Sequence, residues 1–196
     1  MENYERSIIH ESGHIIASII LGYKVQNSVI LNEPVNHNND IINISGATTI
    51  NRGKDSYISD LIINNNYDSS INEAFYIRVA LKTMLMYASG SIAEKHFYDK
   101  EDISNDIWIE GHDLFILDRI KIFFEYNFKI SDIVQDVIAI TIPLFKYDKT
   151  KVIINELRDA FKGNHNKLNQ IQIEAILCNY QKEFKELQNS LEGLIY

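Results

Sequence analysis

Residues 10–14 read His10-Glu11-Ser12-Gly13-His14, set between Ile8-Ile9 and Ile15-Ile16. On an α-helix, side chains four residues apart stand one above the other on a single face. Two imidazoles so placed can grip one Zn²⁺ at about 2.0–2.1 Å. Glu11, on the same turn, is within reach of a water on that metal and can take its proton. The isoleucines at 8, 9, 15, 16, 19 and 20 recur with helical spacing, and Gly22 is placed to end the helix. The sequence therefore predicts a metal-bearing helix over about residues 4–21. Gly13 inside it costs about 1 kcal/mol relative to Ala, which points to something approaching the helix closely there.

Composition narrows what can surround that helix. The chain has 196 residues, 45% of them hydrophobic and 11% aromatic, which suits one domain spanning residues 1–196 with a real core. The net charge is −8 and no basic stripe emerges, so nucleic acid and anionic membrane are poor partners. The one cysteine, Cys178, excludes an internal disulfide and any Cys-rich zinc site. A metal must then be held by His and carboxylate. The N-terminus lacks the basic start and apolar core of a signal peptide. The apolar run Ile15–Leu21 is far shorter than the roughly 20 residues that cross a bilayer. The expectation is a cytoplasmic protein with no membrane span. No glycine-rich phosphate-binding pattern is present, so ATP is not expected to bind.

After the first helix come the β-prone runs Ser28–Leu31, Ile41–Ile44 and Ala47–Ile50, which predict a small sheet or hairpin. The polar stretch Asn36–Asp40 reads as a loop. From about residue 55 onward the pattern is helical: Asn72–Tyr87, a pause at Gly90 before Ser91–Phe97, then Gly111–Phe124. Ser131-Asp132 is placed to cap a helix from Ile133 toward Tyr147, bent or broken near Pro143. Residues 149–162 suit another helix, closed by Gly163. The last predicted helix, Asn166–Leu191, carries a seam of Ile173, Leu177, Tyr180, Phe184, Leu187 and Leu191 at alternating spacings of four and three. That seam fits packing within the domain or self-association. The fold class is mainly α with a small β element after the first helix, that is, α+β. Residues from about 1 to 125 form the metal-site core and about 126–196 a C-terminal helical part.

A catalytic zinc commonly has three protein ligands. Beyond His10 and His14, the residues offer several candidates for the third. Glu94 stands in Ile92-Ala93-Glu94 on an apolar helix, as in gluzincin-type sites. Asp113 follows Gly111 and His112 at a helix start, and Asp106 stands in Ser104-Asn105-Asp106. His96 and His112 read as packed or surface residues, and His37 and His165 sit in polar loops.

The run Ile8-Ile9-His10-Glu11-Ser12-Gly13-His14-Ile15-Ile16-Ala17 resembles the HEAGHA-type helix of the M41 peptidases, the zinc protease domains of FtsH-type membrane-bound ATP-dependent proteases. Further stretches follow in that family's order. Val29-Ile30-Leu31 and Gly46-Ala47-Thr48-Thr49 are similar to its strands. Ala88-Ser89-Gly90-Ser91-Ile92-Ala93-Glu94 resembles its small-residue helix. Glu110-Gly111-His112-Asp113-Leu114 resembles its Gly-x-x-x-Asp-Leu segment, with a shorter gap here. The resemblance covers about residues 5–125 and implies a zincin-like fold. It implies that Asp113 is the third ligand and that Glu94 supports the site from nearby. Ser104-Asn105-Asp106 matches the family's local letters too. However, the positions four and seven after the ligand are apolar or small in the family. They are Leu117 and Ile120 after Asp113, but Glu110 and Asp113 after Asp106. The family's ATPase module and membrane helices have no counterpart in these residues, and the polar stretch around 32–43 enlarges the β region.

These readings lead to an expected zinc metalloendopeptidase with Glu11 as general base. It would act without ATP on unfolded or flexible protein or peptide segments, alone or beside a separate ATPase partner. Two alternatives stand beside it: a catalytically silent peptidase-like adaptor, and a gluzincin-type hydrolase using Glu94.

Overall fold

A computed structural model describes residues 2–31, 35–37, 40–42, 46–99, 109, 111–191 and 193, with side chains from residue 4 onward and outside 32–45. Helix α1 (Glu2–Ile20) is the central element. Ile8, Ile15, Ile16 and Ile20 are fully buried, and of residues 7–21 only His10 and Ile19 are more than marginally exposed. A helix enclosed this way must satisfy its own polar groups. Ser12 Oγ donates to the Ile8 carbonyl at 2.8 Å and Ser18 Oγ to the His14 carbonyl at 2.7 Å. The helix ends as Gly22 predicts. Gly22 takes φ +77°, its N–H reaches the Ile19 carbonyl, and Tyr23 N–H reaches back to the Ser18 carbonyl at 2.8 Å, a Schellman closure.

The chain then forms β1 (Lys24–Ile30), β2 (Val35–His37), β3 (Asp40–Ile42) and β4 (Gly46–Asn51). Strand β1 pairs antiparallel with β4, Ser28 facing Thr48 and Val29 facing Ala47. β2 and β3 pair with each other, so the predicted loop Asn36–Asp40 carries hairpin strands at both ends. The predicted strand Ile41–Ile44 is Asp40–Ile42 where it is described; residues 43 and 44 lie outside the described residues.

Helices α2 (Asp55–Ile63), α3 (Glu73–Ala93), α4 (Gly111–Phe128), α5 (Ile133–Lys146) and α6 (Asp148–Gly163) follow. Asn72 caps α3 by accepting from Ala74 N–H at 2.8 Å. The predicted pause at Gly90 does not occur. α3 runs through it to Ala93 and passes into a π-helical turn, Glu94–Tyr98. α5 likewise runs unbroken past Pro143, and its Asp132 side chain makes no capping bond.

The structure does not form the single C-terminal helix that the sequence predicts over Asn166–Leu191. Residues Lys167–Asn169 are instead a strand, β5, that pairs with β1 and gives the sheet order β4-β1-β5. Asn169 then starts α7 (Gln170–Leu177) with a capping box closed by Gln172. A 3₁₀ turn, Cys178–Tyr180, separates α7 from α8 (Gln181–Ser190). The apolar seam is folded into the common core: Ile173, Leu177, Phe184, Leu187 and Leu191 are buried and Tyr180 packs against them. Architecture and class are thus mostly helical with a small antiparallel sheet. No described helix is long and apolar enough to cross a membrane.

α1 and α3 pack closely where the site lies. A Cβ on Gly13 would strike the Ser89 carbonyl and come within 2.9 Å of the Ala93 Cβ. The close approach inferred from Gly13 is therefore the backbone of α3, admitted by the small residues of both helices.

Candidate metal centre

His10 and His14 point from one face of α1, and Asp113 reaches them from the first turn of α4. One ligand atom from each lies within 4.8 Å of the others. The two Nε2 atoms are 3.1 Å apart, and Asp113 Oδ2 lies 3.1 Å from Nε2 of His10 and 3.4 Å from Nε2 of His14. Zinc bonds of about 2.0–2.2 Å in a tetrahedron separate ligand atoms by about 3.3–3.6 Å. The triangle found here is slightly tighter than that.

The outer ring nitrogens fix which atoms face inward. His14 Nδ1 is 2.8 Å from the Met86 carbonyl, which can only accept, so Nδ1 carries the proton. His10 Nδ1 is 3.2 Å from Glu94 Oε2. In the neutral rings both Nε2 lone pairs therefore turn toward Asp113, the arrangement in which imidazoles ligate metals. Asp113 Oδ2 is buried and receives no aligned hydrogen bond among the described residues, although both ring nitrogens are near it. Three acceptor atoms converging on one point fit a cation.

The charges are strongly coupled. Burial alone would lower the His10 pKa, but the carboxylates of Asp113 and Glu94 overcome it and raise it to about 10. Burial likewise opposes the charge on His14, and Asp113 again outweighs it. Asp113 is held well below the usual carboxylate range: burial works against this, and the two imidazoles prevail. Two imidazolium rings with Nε2 atoms 3.1 Å apart would repel strongly, so we read these shifts as one proton held among the three groups.

Glu94 faces the outer side. Burial would raise its pKa, but His10 and Arg6 lower it, and its carboxylate is engaged by the Arg6 guanidinium and His10 Nδ1. It lies beside the cluster and not within it. Asp106 lies outside the described residues. Leu117 and Ile120, four and seven positions after Asp113, are buried in the core. His112 is exposed, its ring 6.1 Å from Tyr87 and 6.2 Å from Phe115. His96 packs its ring 4.6 Å from Phe97, and His165 sits in a turn with φ +51°. The side chain of His37 is not described.

Glu11 is buried beside this cluster. Its Oε2 accepts from Thr48 Oγ1 at 2.5 Å, and Thr48 is in turn 2.7 Å from the buried Ser28 hydroxyl. A Cβ on Gly46 would come within 2.6 Å of the Glu11 carboxylate. Strand β4 thus holds Glu11 through Thr48 and Gly46.

Sequence reasoning missed Gly90, Met86, Thr48 and Arg6. A Cβ on Gly90 would sit 2.6 Å from His10 Nε2 and 2.7 Å from His14 Nε2. Met86 and Gly90 of α3 and Glu94 at the start of the π-helical turn follow one another at four-residue spacing, and Arg6, His10 and His14 do so along α1. That double stripe was the available signal.

The chain matches no known protein-family model, and no curated protein or solved structure shows significant similarity to it.

Proposed function

We propose that this chain is a zinc-dependent peptidase with a zincin-like site of the FtsH type, acting on extended protein or peptide segments. The observation that carries the reading is the convergence of His10 Nε2, His14 Nε2 and Asp113 Oδ2, with both Nδ1 atoms tied outward. These three residues would hold the metal. When bound, zinc supplies a Lewis acid and brings the pKa of a coordinated water toward about 7.

The protein groups supply the rest. Glu11 takes a proton from the attacking water and later passes it to the leaving amine. Thr48 and Gly46 fix the carboxylate so that little reorganisation precedes the transfer. Among the described residues β4 is an edge strand of its sheet, and it meets Glu11 through Thr48. An extended substrate laid along that edge gains main-chain hydrogen bonds, which select for exposed, unfolded segments more than for particular side chains.

The test is cleavage of a disordered protein by zinc-loaded wild type and by Glu11→Gln. The reading expects turnover by wild type and loss of at least about a hundredfold in the variant with zinc retained. Equal cleavage by the two proteins, or none by either, overturns it.

A further inference from the structure

Arg6 lies one helical turn before His10 on α1, at the end of the stripe that carries both histidines. Its Nε pairs with Glu94 Oε1, and its Nη2 is 3.5 Å from Asp99 Oδ2. The other Glu94 oxygen is 3.2 Å from His10 Nδ1. The π-helical turn makes this possible. In an α-helix, residues five apart are about 140° from each other around the axis. A π turn bonds residue i to i+5 and stacks them. Here Asp99 N–H reaches the Glu94 carbonyl at 3.2 Å, and the two carboxylates face Arg6 together. Lys95 Nζ, 3.2 Å from Asp99, neutralises the second carboxylate further.

We infer that Arg6 is a positioning residue for the metal centre: its guanidinium, anchored by Glu94 and Asp99, holds Glu94 in the one orientation that receives His10 Nδ1–H. His10 Nε2 is thereby kept as a ligand atom. The inference rests on the metal-centre reading, but its test does not require peptidase activity.

The sign of the effect separates positioning from simple charge. Removing a cation near the site favours Zn²⁺ by Coulomb attraction, so a pure charge role predicts tighter binding in Arg6→Ala. Loss of positioning predicts weaker binding, because groups that orient a ligating histidine are worth about 10–100-fold in metal affinity. Arg6 is partly exposed, with 43% of its side-chain surface accessible, so its ion pairs add little to folding stability.

The experiment measures Zn²⁺ affinity by chelator competition, and the visible spectrum of the Co²⁺-loaded protein, for wild type, Arg6→Ala, Arg6→Lys and Asp99→Asn. The expected result is about tenfold weaker Zn²⁺ binding and an altered Co²⁺ spectrum in Arg6→Ala, a smaller loss in Asp99→Asn, and only partial recovery in Arg6→Lys, whose single ammonium cannot bridge both carboxylates. Unchanged or tighter binding in folded Arg6→Ala overturns the inference. Should Arg6→Ala not fold, unchanged affinity and spectrum in Asp99→Asn overturn it equally. Failure of wild type to bind Zn²⁺ or Co²⁺ instead overturns the metal-centre reading beneath it.

Discussion

Gly90 presses against His14 so closely that a β-carbon there would stand 2.7 Å from its Nε2. The same carbon would stand 2.6 Å from Nε2 of His10. Gly90 is therefore the α3 position whose lack of a side chain leaves the two ligand nitrogens room to face Asp113. Gly90→Ala gains about 1 kcal/mol of helix propensity. Overpacking costs about 1–3 kcal/mol and outweighs that gain. The variant is expected to be modestly less stable in urea. Calorimetric titration should show Zn²⁺ affinity reduced by more than about tenfold, since the inserted methyl displaces the ligating atoms themselves.

Acidity acts in opposite directions on the metal-free and zinc-bound protein. The folded state raises the His10 pKa from 6.5 to about 10. The stability this contributes is fully present below pH 6.5 and is lost as pH rises toward 10. The same proton-sharing contact lowers Asp113 from 3.8, so at the acid end that one contribution is present above pH 3.8 and is lost as pH falls below it. Metal-free protein should thus be most stable between these limits and weaken through the alkaline window. Zinc must displace the proton to bind, so the stabilisation it adds should grow across the same window. Thermal melts with chelator and with zinc, at pH values spanning 6.5 to 10, check both slopes.

Thr48 ties the sheet edge to Glu11. A hydrogen bond to a charged group is worth about 1.5–3 kcal/mol, or roughly tenfold to a hundredfold in a rate that depends on it. Thr48→Val should lower kcat by about tenfold or more while zinc content stays at the wild-type level. Thr48→Ser, which keeps the hydroxyl, should restore most of it. Loss of zinc in Thr48→Val would place the residue in metal retention instead.

How far the sequence alone reached depended on how local the signal was. α1 was legible because its isoleucines, its two histidines and Gly22 all agree on one helix and one end. Asp113 came from order and from Leu117 and Ile120, since no local pattern ties a carboxylate to a helix about a hundred residues upstream. β5 was missed because three residues show no periodicity, and pairing with Ser28 and its neighbours is a tertiary event. Asn169 and Gln172, spaced as a capping box, are the local mark of the true start of α7 that the reading of one helix from Asn166 passed over. The apolar seam runs on past the real break at Cys178–Tyr180, because core-facing residues keep their spacing across a short 3₁₀ turn. The pause at Gly90 was misjudged for another reason: the small residue serves the neighbouring histidines and not the helix that contains it.

The central claim is one metal held by two imidazoles of α1 and the carboxylate that opens α4. Anomalous diffraction at the zinc edge, from crystals grown with Zn²⁺, tests it most directly. The account predicts a single strong peak within bonding distance of His10 Nε2, His14 Nε2 and Asp113 Oδ2, with Glu94 still paired to Arg6. A peak bonded to Glu94 or Asp106 in place of Asp113, or no peak between the histidines, would contradict it.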